Sequence, residues 1–385
     1  LKRLAKDPRV SRISFDYPVQ GTLYHTARAI GADQVWSGAA TGAAYDGNGV
    51  TVAVMDSGLA AKAEDLSGRI AASVGFETRD IQDIIDIYGH GTHVMGTIAG
   101  QGIKSAPGGA YPLQYKGIAP GARIVNLKVL DVNGMGFTSS VLSAFDWCLK
   151  NKNTYNIRVI NLSLGHPVYE SYKTDPLCRA VETCVRNGIV VVVAAGNYGK
   201  GDGLLVHGGI LSPGNDPAAI TVGAVDTQGT ISRSDDDAAS YSSRGPTAID
   251  GLIKPDILAP GNKIVSVAVS GGRLYKKHPD NRVGPNGGTR SADYYLLSGT
   301  SMATPVVSGT VALMLQANPS LNPNMVKAIL AYTAQRLTEP TILEQGNGYL
   351  NAAGAVRLAQ AISNDAGSLA LGATWISSPQ SIKPY

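Results

Sequence analysis

A doubly wound α/β fold, a mostly parallel β-sheet with helices on both faces, is the class this sequence predicts. Two observations carry it. Short Val- and Ile-rich runs recur without polar alternation and end at Asp56, Leu130, Ser163, Ala195 and Val225, as strands buried on both faces should read. Helical patterns at residues 139–150 and 175–187 separate them, giving the strand, helix, strand order of a parallel sheet. Composition agrees: charged residues are 16% of the 385, under the roughly 25% usual for soluble domains, and 46 glycines indicate a compact, loop-rich chain. That length buries one large core or two modest ones. The net charge of +4 is scattered, without a basic stripe or interleaved aromatics, so nucleic acid is not indicated. No run of 18 apolar residues exists to span a membrane.

In chain order, Asp7-Pro8-Arg9 makes a turn, and Val10, Ile13, Phe15 and Tyr17 lie along a short extended stretch. A short helix at 32–36 and a Gly-rich loop lead to the strand ending on Asp56, and residues 69–76 read as another strand. Asp80, Asp83 and Asp86 follow at steps of three, where a solvated acidic loop is favoured over calcium ligation. Residues 122–130, 158–163, 188–195 and 219–225 complete the strands. Asp235-Asp236-Asp237 reads as a solvated loop, and residues 271–292, with Lys276, Lys277, Arg282 and Arg290, as a mobile surface excursion. Helices at 323–335 and up to about 362 precede a Gly-, Ser- and Pro-rich tail, residues 364–385.

Chemistry concentrates in three stretches. Leu297-Ser298-Gly299-Thr300-Ser301-Met302-Ala303-Thr304-Pro305 opens a helix that carries almost no charge, with Thr300 or Ser301 as cap and Pro305 in the first turn. A hydroxyl among the unpaired N–H groups of that N-terminus suits a serine that becomes an alkoxide, although a plain N-cap reads the same way. Asp56 ends a buried strand, where open α/β sheets place their sites. His90 stands at the mouth of a small-residue helix running from Tyr88 to Gly100. His90 and His93 are spaced to share a metal, but no His-Glu-x-x-His pattern or third ligand accompanies them. Cys178 and Cys184 lie too far apart on one helix to bridge, so with Cys148 they read as buried thiols.

The chain order Asp56, His90, Ser301 resembles the subtilisin-like serine endopeptidases, the subtilase family. Four further segments fit the same resemblance: Asn161-Leu162-Ser163-Leu164-Gly165, Val193-Ala194-Ala195-Gly196-Asn197, Tyr241-Ser242-Ser243-Arg244-Gly245-Pro246, and the run from Lys254 to Gly261. Together they span about Trp36 to Ala359. The resemblance implies a secreted serine endopeptidase in which Ser301 attacks the scissile carbonyl, His90 is general base, Asp56 orients His90, and Asn197 donates to the oxyanion. Gly134-Met135-Gly136 and Ser163-Leu164-Gly165 would be backbone rails pairing with an extended peptide or protein substrate. Ala194, Ala195 and Gly196 would border a primary pocket with small, uncharged walls, favouring apolar or aromatic side chains. His166 would stand at the pocket mouth.

Residues 1–22 would be the end of an inhibitory propeptide acting intramolecularly, cut somewhere between Asp16 and Thr26, or else a first strand of the enzyme itself. Residues 23–363 would be the catalytic domain of a monomer. No cofactor is implied for the chemistry. A structural calcium ion is possible in the family, but the loop 101–117, which with Asp65 would cage it, carries Lys104 and Lys116 and no carboxylate. An inactive peptide-binding relative, a metal-dependent hydrolase using His90 and His93, and a structural or adhesion module are the rival readings.

Overall fold

The computed structural model describes residues 23–77, 83–201, 204–289, 292–366 and 375–376. The expected propeptide remnant, most of the tail, Asp80 and Arg290 lie outside them. Two short helices, α1 (Leu23–Ala29) and α2 (Ala32–Trp36), lead into β1 (Thr51–Asp56), β2 (Ile70–Gly75), α3 (His90–Ala99), β3 (Arg123–Lys128), α4 (Thr138–Tyr155), β4 (Ile157–Leu162), α5 (Pro176–Arg186) and β5 (Val190–Ala194). The short pair β6 (Lys200–Gly201) and β7 (Leu204–Leu205) precedes β8 (Ile220–Asp226), β9 (Asp237–Ala238), β10 (Ile257–Pro260) and β11 (Ile264–Val267). Then come α6 (Arg273–Lys277), β12 (Arg282–Val283), β13 (Tyr294–Leu297), α7 (Thr300–Ala317), α8 (Pro323–Thr333), α9 (Ile342–Gln345) and α10 (Ala352–Ala361).

The main sheet runs β10-β8-β5-β4-β1-β3-β2, parallel throughout, with β9 antiparallel on β8. Because side chains alternate along a strand, β1 feeds two cores. Val52 and Val54 pack with α3, α7 and α10, whereas Ala53 and Met55 pack with α4 and α5. The fold is therefore the doubly wound one. From β1 the chain moves to β2 and β3 on one side and afterwards to β4, β5, β8 and β10 on the other. That reversal opens a crevice above the carboxyl end of β1, where Asp56 stands.

Helix α7 is buried on nearly every side, as its lack of charge requires. Its start differs from expectation. The N-cap is Gly299 at φ 155°, without a side-chain cap, and Pro305 is the sixth helical residue rather than part of the first turn. Proline has no N–H, so the carbonyl of Ser301, its partner four residues back, is left open. Ser163 Oγ donates to it at 2.8 Å, tying the nucleophile stretch to the end of β4.

Other boundaries moved for local reasons. Helix α4 continues to Tyr155 and stops at Asn156 in the left-handed region, φ 51°. Helix α5 starts at Pro176 because Asp175 caps the amides of Leu177 and Cys178. Residues 271–292 are no loose excursion where they are described: β12 pairs with β13 and β13 with β11. Buried Tyr275 bonds Ala292 through its hydroxyl, and the Arg282 guanidinium lies 4.2 Å over the Tyr275 ring while donating to the Tyr275 carbonyl. Of the three consecutive aspartates, Asp235 and Asp237 are exposed but Asp236 is half-buried. Cys148, Cys178 and Cys184 are buried free thiols.

The corner formed by Asp65 and the loop 101–117 does not fit a hard divalent cation. Asp65 Oδ1 accepts the Lys104 amide at 3.0 Å and Oδ2 accepts the Tyr294 hydroxyl at 2.5 Å. Tyr294 also bonds Ser105 at 2.8 Å, and its ring meets those of Tyr111 and Tyr115 at 5.1 and 4.8 Å. A phenol and an amide thus occupy the acceptor that would have faced the ion. Tyr294→Phe is expected to destabilise the chain by about 1–3 kcal/mol, because Asp65 is left buried with an unpaired oxygen. The test is a urea midpoint that falls at constant slope; an unchanged midpoint would refute the assignment.

Candidate active site

Three elements converge on the crevice: the last residue of β1, the first of α3 and the second of α7. Asp56 is fully buried, and its Oδ1 accepts from His90 Nδ1 at 2.8 Å and from the Ser57 amide at 2.7 Å. Asp56 therefore holds the proton on Nδ1, and Nε2 of neutral His90 keeps its lone pair for a substrate or a hydroxyl. Burial pushes His90 down, but the charge and hydrogen bond of Asp56, joined by the charge of Asp86, hold it above the usual imidazole range. Ser301 Oγ donates to the Ser163 carbonyl at 3.1 Å and makes no hydrogen bond with His90 here.

Asn197 Oδ1 accepts both the amide of Thr300, at 2.9 Å, and its hydroxyl, at 3.1 Å. The helix cap expected from Thr300 or Ser301 thus comes from a distant loop. With Oδ1 fixed as acceptor, Nδ2 remains as a donor. A Cβ on Gly299 would lie 3.3 Å from Asn197 Nδ2, a tight approach, and 3.7 Å from the Ser301 amide, an ordinary contact, so glycine keeps the Nδ2 donor uncrowded. Its φ of 155° asks for the same residue.

A cleft of about 740 Å³ is lined by His90, Gly134, Met135, Gly136, Ser163, Leu164, Gly165 and His166, among others. Both proposed rails face it. A Cβ at Gly136 would lie 2.3 Å from the Val129 carbonyl and one at Gly165 2.7 Å from that of Ser212, so each rail needs its glycine to sit this close to neighbouring backbone. Gly134 lies under Tyr88, whose ring would be 2.4 Å from a Cβ there. A second cavity of about 390 Å³ is bordered by Leu164, Gly165, Ala194, Gly196, Asn197, Leu211, Thr300 and Ser301. Ala195 does not border it, contrary to expectation. Its side chain is fully buried, its amide donates to Val222 and its carbonyl accepts from Leu211, so the walls are its neighbours Ala194 and Gly196.

His93 is turned away from this site. Its Nε2 donates to the carbonyls of Ile264 and Tyr295 at 3.1 and 3.0 Å, and burial with the neighbouring His90 pushes its pKa down to about 3. A metal shared by His90 and His93 is at odds with that arrangement. Sequence reasoning missed Leu211 in the pocket and Asp86 at the first turn of α3. Asp86, read as part of a solvated loop, is 1% exposed, and Asp83 pairs with Lys128 at 2.8 Å. No local pattern distinguishes such aspartates from solvated ones.

Comparison with known proteins agrees with the architecture. The subtilase family model matches residues 47–354. Serine protease AprX of Bacillus subtilis (strain 168) is 39% identical over 322 residues, covering 82% of this chain and 68% of that protein. Subtilisin E of the same organism is 34% identical over 338 residues, covering 88% and 73%. An extracellular serine proteinase of Thermus sp. (strain Rt41A) is 32% identical over 359 residues, covering 91% and 71%. Among solved structures, that of a cold-adapted subtilisin-like serine proteinase aligns with a TM-score of 0.59 at 31% identity, over 80% of this chain and 90% of that one. The chain belongs to the subtilase family. It is a subtilisin-like serine endopeptidase, a peptide hydrolase.

Proposed function

We propose that this endopeptidase works through Asp56, His90 and Ser301, with Asn197 and the Ser301 amide holding the oxyanion. The observation that carries the reading is the 2.8 Å bond between Asp56 and His90 Nδ1, with Ser301 on the N-terminus of α7 bonded to Ser163, which lines the same cleft as His90. A substrate strand lies between the two rails. Ser301 Oγ leaves the Ser163 carbonyl, passes its proton to His90 Nε2 and bonds to the scissile carbonyl carbon. The resulting oxyanion is met by Asn197 Nδ2 and the Ser301 amide, and Asp56 stabilises the imidazolium. His90 then protonates the leaving amine, and water, deprotonated by His90, releases the acyl group. Chromogenic peptides should be cleaved, with activity lost to a serine-directed fluorophosphonate and kept in a chelator. Loss to the chelator alone would overturn the reading.

Pairing through backbone supports broad specificity with an apolar residue before the scissile bond. Leu211 refines this. Its Cγ sits 2.8 Å from where a Cβ on Gly196 would be, and its Cβ 3.0 Å from the corresponding point on Gly165, which puts it against both pocket walls. Leu211→Ala should raise the kcat/KM ratio for Tyr over Leu at that position by about 10-fold, the scale of one methylene-sized contact in an apolar pocket. An unchanged ratio would remove Leu211 from the pocket.

Secretion, a monomeric state and the inhibitory role of residues 1–22 belong to the same proposal, and the extracellular relative from Thermus supports the first of them.

A further inference from the structure

We propose that Asp86 is a positioning residue for His90, a buried carboxylate that sets the start of α3, and with it the imidazole, in register with Asp56. The inference rests on the role given to His90 above.

A helix leaves its first amides without intrahelical partners, and Gly89, the N-cap of α3, has no side chain to offer. Asp86 supplies what is missing. Its Oδ1 accepts the Gly89 amide at 2.7 Å, and its Oδ2 accepts the Thr92 amide at 2.9 Å and the Thr92 hydroxyl at 2.8 Å. Another amide of that turn, that of Gly91, donates to Ser57 Oγ at 2.9 Å, and Ser57 in turn donates its hydroxyl to Asp86 Oδ1 at 2.9 Å. Ser57 also gives its own amide to Asp56 at 2.7 Å. A closed circuit results: Asp56, Ser57, Asp86, the first turn of α3, His90, and back to Asp56. The circuit is anchored from outside, since the Asp86 amide donates to the Leu59 carbonyl at 2.9 Å and Thr92 Oγ accepts the Ala60 amide at 2.9 Å.

Four donors on one carboxylate specify its place closely. A displacement of α3 would stretch several short bonds at once, and an error near 1 Å in a general base costs about 100-fold in rate. The charge matters besides the geometry. Asp86 lies buried near the second anion Asp56, an arrangement that burial and mutual repulsion both disfavour. The groups bearing on His90 are Asp56 from β1, Asp86 and Tyr88 from the loop before α3, and His93 on its own helix, with Arg273 of α6 acting on Tyr88. Both carboxylates favour the imidazolium that forms during the reaction. Catalysis by His90 requires its neutral form at the outset, so removing one anion lets the neutral form persist to lower pH.

The test is Asp86→Asn in the full chain, assayed on a chromogenic peptide beside the unmutated chain, with fluorophosphonate labelling of both. For the folded variant kcat should fall about 10- to 100-fold with KM within about two-fold, and the acid limb of kcat/KM should move to lower pH. A folded Asp86→Asn enzyme with unchanged kcat and an unmoved acid limb would overturn the inference, as would a change confined to KM. If that variant does not fold, Ser57→Ala decides. It breaks the hydroxyl link while keeping both charges, so kcat should fall at constant KM with the acid limb in place; unchanged kcat overturns the inference. Failure of the unmutated chain to label would instead remove the His90 and Ser301 reading, and this inference with it.

Discussion

Ser301→Ala is expected to lower kcat by on the order of 10⁶-fold, the loss seen when the nucleophile of such a triad is removed. The fold should hardly notice. Ser301 Oγ makes one hydrogen bond, to the Ser163 carbonyl at 3.1 Å, and the carbonyl of residue 301 keeps the 2.8 Å bond from Ser163 Oγ, which depends on Pro305 and not on the serine side chain. The unfolding midpoint should therefore move by less than about 1 kcal/mol equivalent. Steady-state hydrolysis of a peptide ester and amide, with a urea titration alongside, checks both halves. Residual activity above about a hundredth of the unmutated rate would mean that Ser301 is a cap and no nucleophile.

Asn197→Asp separates two duties that one side chain performs. The carboxylate retains an acceptor for the Thr300 amide and hydroxyl, so the cap of α7 survives. The donor toward the oxyanion is lost and replaced by negative charge, which should lower kcat by about 10²–10³-fold or more, with KM little changed. Stability should stay within about 1 kcal/mol. If instead kcat were retained and the unfolding midpoint collapsed, Asn197 would be structural only.

The fold was legible because its strands are continuous apolar runs separated by helical stretches, of which α5 buries one face through Leu177, Cys178, Val181 and Cys184. Asp56, His90 and Ser301 were legible because each sits in a short stretch whose local chemistry is unusual: a carboxylate ending an apolar strand, a histidine entering a helix of small residues, a serine before a chargeless one. The rest depended on contacts between residues far apart in the chain. Asp86 looks like any loop aspartate until the first turn of α3 closes over it, and Asp65 looks like a cation ligand until Tyr294 arrives from more than 200 residues away. Residues 271–292 lie largely at the surface where they are described, as their polar composition indicates, but composition does not reveal that Tyr275 is buried under Arg282 and bonded to Ala292. Pro305 was misplaced by part of a turn, since the chain does not reveal that Gly299 would be the cap. Ala195 was assigned to the pocket together with Ala194 and Gly196, but its side chain is fully buried.

The most direct measurement is to react the folded chain with a fluorophosphonate across a range of pH and map the adduct by peptide mass. A single adduct on Ser301, absent from Ser301→Ala, strongly slowed in His90→Ala, and slowing in the unmutated chain as pH falls through the raised pKa of His90, is the expected result. A folded chain that takes up no label, or takes it at another residue, would contradict the assignment of Ser301 and His90.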